Sequence, residues 1–465
     1  MNTNELPDRG YAEYLAGFVS GLDLDSVPRD VVGHAKLLFL DLLGAALAGT
    51  DTVEAEAALR AVGMMMPGGG PCTLWGTSKT SSPNGAALFN GIVAHSRELD
   101  DFGGADHSGA VVVPALIAVA EAYPVVSGKR FLEAMIAGYE VARRVLESAG
   151  GYRPHNHQDG YHSTGTCGSF GAAAAVAKAL DLSMVQTVSA IGLAGSFTGG
   201  TWAFTEDGAM SKRYHVGRAA ETGVTAGCLA GSGFTGPAYV FEAPWGGFLS
   251  TYARHDPHPE ALVKDLGTTY RIMRSGIKPY AACRDIHSVL DVVLDVRRNH
   301  RLTPGDIHTI KVRCIPEMMQ MVGKSAFPLT RIEAQLSLSY SIAVALLTGR
   351  AFTAEYEAPY LTDPEVVRLF DLVELVESPE LPFDSEPHVT FFTKAGRSIE
   401  GHVEFARGAP QNPMKVDEVV EKFMALASKF FPDPLLSELP DILLSLESLD
   451  DLRIVTQYLR LPPDH

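Results

Sequence analysis

The sequence predicts a mainly α-helical protein with a second α+β domain: a large all-helical domain plus a smaller inserted α+β domain. Three observations predict it. Up to about residue 265, apolar side chains recur at helical spacing in Ala- and Gly-rich runs. Between about 269 and 410, segments of period two alternate with helical ones. Beyond 411 the helical period returns. The expected domains are therefore 1–268 and 411–465 for the two parts of the helical domain, with 269–410 inserted between them.

Element by element, residues 30–49 (DVVGHAKLLFLDLLGAALAG) read as a helix that Gly49 can end. Asp41 falls inside its apolar pattern and reads as a core carboxylate with a hydrogen-bond partner. Further helices are expected at 84–97, 109–123, 129–148, 168–180, 184–195 and 216–231. In the second domain, Ile307 to Ile315 alternates like a half-buried strand, and 387–406 reads as a hairpin around Ala395-Gly396. Helices at 285–300, 333–348 and 364–375 lie among these strands, and the tail from VDEVVEKFMALASKFF onward is helical.

Composition narrows the function. The chain has 465 residues, 46% hydrophobic and 20% charged, as expected of a folded soluble enzyme. A formal charge of -17 disfavours nucleic acid and anionic membranes as partners. It leaves room for a small anionic substrate in a local basic pocket. The five cysteines, an odd number with no C-x-x-C, argue against a disulfide framework or a structural zinc. They suit a reducing cytoplasm, and the polar N-terminus lacks the look of a signal peptide. The longest apolar run, Ala110 to Val126, is interrupted by Pro114 and Glu121 and is short for a membrane span.

Four polar knots stand out, and together they suggest one active site drawn from distant segments. They are HSRELDDFGGADHSG (95–109), HNHQDGYHSTGTCG (155–168), MSKRYHVGR (210–218) and GIKPYAACRDIH (276–287). In the first, Asp100 or Asp101 could orient His107, or could cap the following helix. In the second, His162 precedes Gly165, Gly168 and Gly171 at a helix start, where an imidazole can act as general acid or base. His155, His157 and Asp159 lack further ligands at metal-site spacing, so no metal is expected there. In the third, Lys212 and His215 share a helix face and would attract a carboxylate. In the fourth, Lys278 and Arg284 could clamp carboxylates. Cys283 reads equally as a thiolate activated by nearby cations or as an inert buried thiol, and His287 lies one helical turn beyond it, with Tyr280 nearby.

These segments, in this order, resemble the MmgE/PrpD family. Its marks include DLLGAALAG, LWGT (74–77), NGIVAHSRELDD (90–101), GYHSTGTCGSFGAAAAVAKALDL (160–182), SKRYHVGRAAETG (211–223), IKPYAACRDIH (277–287) and EAQLSLSYSIAVALLTG (333–349). The resemblance implies the helical-plus-α+β fold, a homodimer, and an active site between the domains. It implies catalytic roles for Asp101, His107, His162, Lys212, Lys278 and Cys283, with Arg284, His287, His215, Tyr280 and His157 binding substrate. It implies no cofactor and no metal. The family includes 2-methylcitrate dehydratases, cis-aconitate decarboxylases and iminodisuccinate epimerase, which share proton removal next to a carboxylate. Departures matter: the family's frequent His-Pro is His107-Ser108 here, the decarboxylases carry a histidine where Cys283 stands, and a decarboxylase tyrosine falls on Met321. The expected activity is a 2-methylcitrate dehydratase-like lyase acting on a small di- or tricarboxylate. The alternatives are an iminodisuccinate-like epimerase, then a cis-aconitate decarboxylase or a non-catalytic relative.

Overall fold

A computed structural model describes residues 8–123 and 126–461. Residues 1–7, where no targeting segment is expected, lie outside the described residues, as do two positions of the apolar run Ala110 to Val126.

The helical part is built around Ser108–Ala122, which is buried along nearly its whole length and has no polar face. It packs on Pro83–His95, Gly128–Ser148, Gly168–Ala179 and Ser211–Gly231. Small residues set these distances. A Cβ on Gly217 would lie 2.3 Å from the Leu88 carbonyl, and one on Gly171 would lie 2.5 Å from the Gly138 carbonyl. The helices therefore touch backbone to backbone, which any larger side chain would prevent. Arg29–Gly49 is the one described helix long and apolar enough to cross a membrane. Here it is a core helix, packed against Pro83–His95 and the returning Val416–Ala427. It ends at Gly49 as expected, where a Cβ would sit 1.9 Å from the Val93 carbonyl. Tyr11–Gly21 and Val53–Met65 are further helices that the periodicity reading did not single out.

The second part holds a four-stranded sheet: β1 (Ile307–Cys314), β2 (Val373–Glu377), β3 (His388–Thr393) and β4 (Ser398–Gly401), in the order β2-β1-β3-β4. β1 pairs with β2 in parallel and with β3 antiparallel, and β3–β4 is the expected hairpin, with Gly396 at φ +78° in its turn. Helices His287–Asn299 and Leu338–Thr348 complete this unit.

Apolar side chains gather in two clusters. One runs from Ala12 to Ile277 and resumes at Val419. The other is drawn from Tyr280 to Ile399, with Ala45, Leu99 and Leu426 contributed by the helical part. The expected helix at 364–375 is shorter, Pro364–Phe370, and the chain turns at once into β2. The expected helix at 333–348 breaks at Leu336, where Gln335 bonds outward to the Arg97 and Ala281 carbonyls.

Candidate active site

The polar knots meet in a cleft of about 380 Å³ between the two parts. Its helical wall includes Glu98, Asp106, His107, Arg143, His157, Trp202 and Lys212. Its other wall includes Lys278, Cys283, Arg284, Asp285 and Glu386. Helix starts bring several of them there: His107 precedes Ser108–Ala122, and Lys212 is the second residue of Ser211–Gly231. The loop after His95 is bound to the second part by reciprocal Phe102–Gly276 backbone hydrogen bonds of 3.1 and 2.8 Å. Gly276 is required at that crossing, since a Cβ would lie 2.4 Å from both the Gly408 carbonyl and the Phe102 ring.

Glu98 is the centre of charge. It is fully buried and adopts φ +53°, a left-handed conformation that costs a non-glycine residue of order 1 kcal/mol. Lys212 Nζ donates to one of its oxygens at 2.5 Å and Lys278 Nζ to the other at 3.1 Å. Burial opposes its ionisation, but these two ammonium groups outweigh burial and hold its carboxyl well below the usual range. Lys278 stays protonated by the same pairing, its pKa raised against the effect of burial.

Beside it stands a chain of imidazoles and carboxylates. His107 Nδ1 donates to the Asp101 carbonyl at 3.0 Å and lies 3.0 Å from Asp100 Oδ2. His95 Nδ1 meets the other Asp100 oxygen at 2.9 Å. Asp106, also in the left-handed region at φ +72°, puts Oδ2 3.6 Å from His107 Nε2 and 3.4 Å from His162 Nε2. Burial disfavours a charged His107, yet Asp106 and Asp100 outweigh it and raise its pKa. Asp106 is held low in return, its desolvation outweighed by His107, His162 and Lys212. An acid and a base with pKa values driven apart thus stand side by side.

Several expected residues are placed elsewhere. Asp101 does not reach the cleft. Its Oδ1 accepts from Gly109 N at 2.9 Å, capping the buried helix, and burial with Asp100 beside it raises its pKa to about 7. Asp100 is the carboxylate that orients His107. His162 is fully buried behind Asp106 and Trp202, whose ring centre is 4.8 Å from its own, and burial lowers its pKa to about 4. His215 lies behind His162, with Nδ1–Nδ1 3.1 Å, and lines a different cavity. His287 is buried and bonds back to the Ala282 carbonyl, and Tyr280 bonds to Asp291, so neither lines the cleft. Cys283 does line it, but as a thiol: burial and Asp285 push its pKa to about 12 despite Lys212 and Lys278. Arg284 faces the cleft paired with Glu386 and over the Phe102 ring.

The HNH segment does not converge. His155 bonds to the Tyr252 carbonyl and Thr166, His157 turns to the cleft, and Asp159 pairs with His255. Among the described residues, His95, Glu98 and His107, and also Asp106, His107 and His162, each bring ligand atoms within 4.8 Å of one another, near enough for a cation. The Lys212 ammonium on Glu98 and the fixed charge of Lys278 beside it oppose a further positive charge in the first group.

The sequence reading missed Glu98, Asp106 and His95. Asp106 had a usable signal, as a carboxylate next to the candidate His107 in a Gly-Gly loop. Glu98 had none, since its role depends on a backbone turn that its neighbours do not announce.

The MmgE/PrpD N-terminal domain matches residues 13–260 and the MmgE/PrpD C-terminal domain matches residues 280–436. The chain belongs to the MmgE/PrpD family. Full-length relatives of this MmgE/PrpD protein include the cis-aconitate decarboxylase-like protein oryM of Aspergillus oryzae, 30% identical over 97% of both chains. The cis-aconitate decarboxylases of Aspergillus terreus and Homo sapiens are 27% and 28% identical, over 97% and 98% of this chain and 96% and 95% of theirs.

Proposed function

We propose that the protein is a cofactor-free lyase for a small di- or tricarboxylate, and that it dehydrates a 2-methylcitrate-like hydroxy acid. The carrying observation is the pairing of an Asp106 carboxyl held low with a His107 held high, in a cleft where Lys212 and Lys278 meet on Glu98. Elimination of water needs both partners. Asp106 takes the proton next to a carboxylate, the two lysines stabilise the enediolate charge, and His107 gives a proton to the departing hydroxyl. Arg284 and Arg143 offer contacts to the remaining carboxylates.

Decarboxylation is the second reading, favoured by the names of the relatives. Loss of carbon dioxide needs an acid but no base, and the ionised Asp106 would then be idle. Epimerisation needs a second proton-transfer group on the opposite face, and Cys283 there is held as a poorly acidic thiol. The same reading includes a homodimer in the cytoplasm, and a monomer in sedimentation would remove the dimer from it.

The test is proton NMR of chelator-treated protein in D2O with 2-methylcitrate, citrate, cis-aconitate and iminodisuccinate stereoisomers. New vinyl signals from a hydroxy acid support dehydration. Itaconate-type methylene signals from cis-aconitate would replace it by decarboxylation, and a new diastereomer would replace it by epimerisation.

A further inference from the structure

A second cavity, of about 350 Å³, lies behind the cleft and is lined by Gly165, Gly199, Gly200, His215 and Arg218 among others. The His162 and His215 rings link it to Asp106. His162 has no solvent exposure, with Asp106 Oδ2 3.4 Å from one nitrogen and His215 Nδ1 3.1 Å from the other. One proton must lie between the two Nδ1 atoms, because two bare nitrogens or two N–H groups at that distance would repel.

We propose that His162 and His215 are a proton relay joining Asp106 to the second cavity, with His215 acting as a positioning residue for the reaction proposed above. The resting tautomer has His162 Nδ1–H donating to His215 Nδ1. His162 Nε2 is then bare and open to a proton from Asp106 Oδ2, 3.4 Å away. When Asp106 has taken the substrate proton, it passes it to His162 Nε2. His162 gives its Nδ1 proton to His215 Nδ1, and His215 gives its Nε2 proton to water in the cavity. After His107 has protonated the leaving hydroxyl, a proton returns the same way, from cavity water to His215, His162, Asp106 and finally His107 Nε2, 3.6 Å from Asp106. One proton leaves and one enters per turnover, and both rings recover their tautomers.

The surroundings suit this traffic. Lys212 and His162 add to burial in keeping His215 neutral, so it can both accept and donate. Arg218, on the same cavity, is paired with Glu221 at 2.8 Å, and Tyr214 is the remaining titratable group on that wall. Gly200 leaves room for the ring, since a Cβ there would stand 3.1 Å from His215 Cγ.

The test uses His215→Ala and His215→Asn in the full chain. Either should lower kcat by about 10²-fold with KM unchanged. Added imidazole, which fits the cavity, should restore turnover to His215→Ala. Both should also reduce exchange of the abstracted substrate proton with solvent relative to turnover. An undiminished kcat, or a loss in the folded Asn variant with solvent exchange unaltered, overturns the relay. Nitrogen-15 NMR of the histidines in the unliganded wild type is the independent arm. A protonated Nδ1 and bare Nε2 on His162 are expected, and the opposite tautomer overturns the proposal. A wild type silent on every carboxylate defeats the dehydratase reading alone, and the spectra then decide the relay.

Discussion

At the residue scale, the site separates carboxylates by environment. Asp100, Asp101 and Asp106 lie within seven residues, yet Asp100 and Asp106 are held low by imidazoles while Asp101 is raised to about 7. Asp106→Asn should lower kcat by about 10²-fold in steady-state assays while leaving KM within a few-fold. The pH profile follows from the partner. The His107 pKa is raised above its ordinary 6.5 by Asp106 and Asp100 against burial, so the acid form persists above that value. Turnover should therefore hold past 6.5 and fall only as pH rises through the raised folded pKa. A profile already falling below 6.5 would remove His107 as the acid.

Asp101 behaves in the opposite sense to a paired carboxylate. Its folded pKa, about 7, exceeds the ordinary 3.8, so its contribution to stability is full below 3.8 and declines as pH climbs toward 7. Asp101→Asn keeps the acceptor for Gly109 N and cannot ionise. The variant should lose less Tm than the wild type between pH 5 and pH 8 in thermal melts, and should retain turnover within about ten-fold.

At the element scale, close helix contact governs. Gly217→Ala would place a methyl 2.3 Å from the Leu88 carbonyl and displace Ser211–Gly231, the helix that carries Lys212. It should cost about 1–3 kcal/mol in denaturant unfolding and raise KM for the carboxylate. The helices were legible because Ala, Leu and Val repeat every three to four residues, and their expected ends fall within a few residues of Arg29–Gly49, Ser108–Ala122 and Gly128–Ser148. Ser211–Gly231 begins five residues before its expected start, since the polar SKRYH sequence hid a first turn that is helical and partly buried. β2 was not legible: VELVE is short, and its strand character comes from parallel pairing with β1, more than sixty residues away. For the site, residue types marked the segments but not their depth. His162, His215 and His287 look alike in sequence, and only packing puts the first behind Asp106, the second on another cavity and the third in the second core.

At the scale of the whole molecule, the chain returns to its beginning. Lys422, on Val416–Ala427, meets Asp41 at 2.6 Å and donates to the Leu99 carbonyl at 2.7 Å, directly before Asp100. Both charges are buried, and burial drives them toward neutrality, raising Asp41 to about 6 and lowering Lys422. Asp41→Asn, which leaves Lys422 alone, should cost about 3–5 kcal/mol in chemical denaturation. Asp41→Leu with Lys422→Met should recover more than half of that loss.

Glu98 binds a lysine from each half of the protein. A gene chimera that exchanged residues 280–410 between two family members would keep Glu98, Lys212 and the acid–base pair. It would even keep Lys278, which precedes the seam, while replacing Cys283, Arg284 and Glu386. On the function proposed above, proton-transfer machinery and substrate choice would then be separately inheritable. One lineage could drift among several acids by remodelling a single lobe.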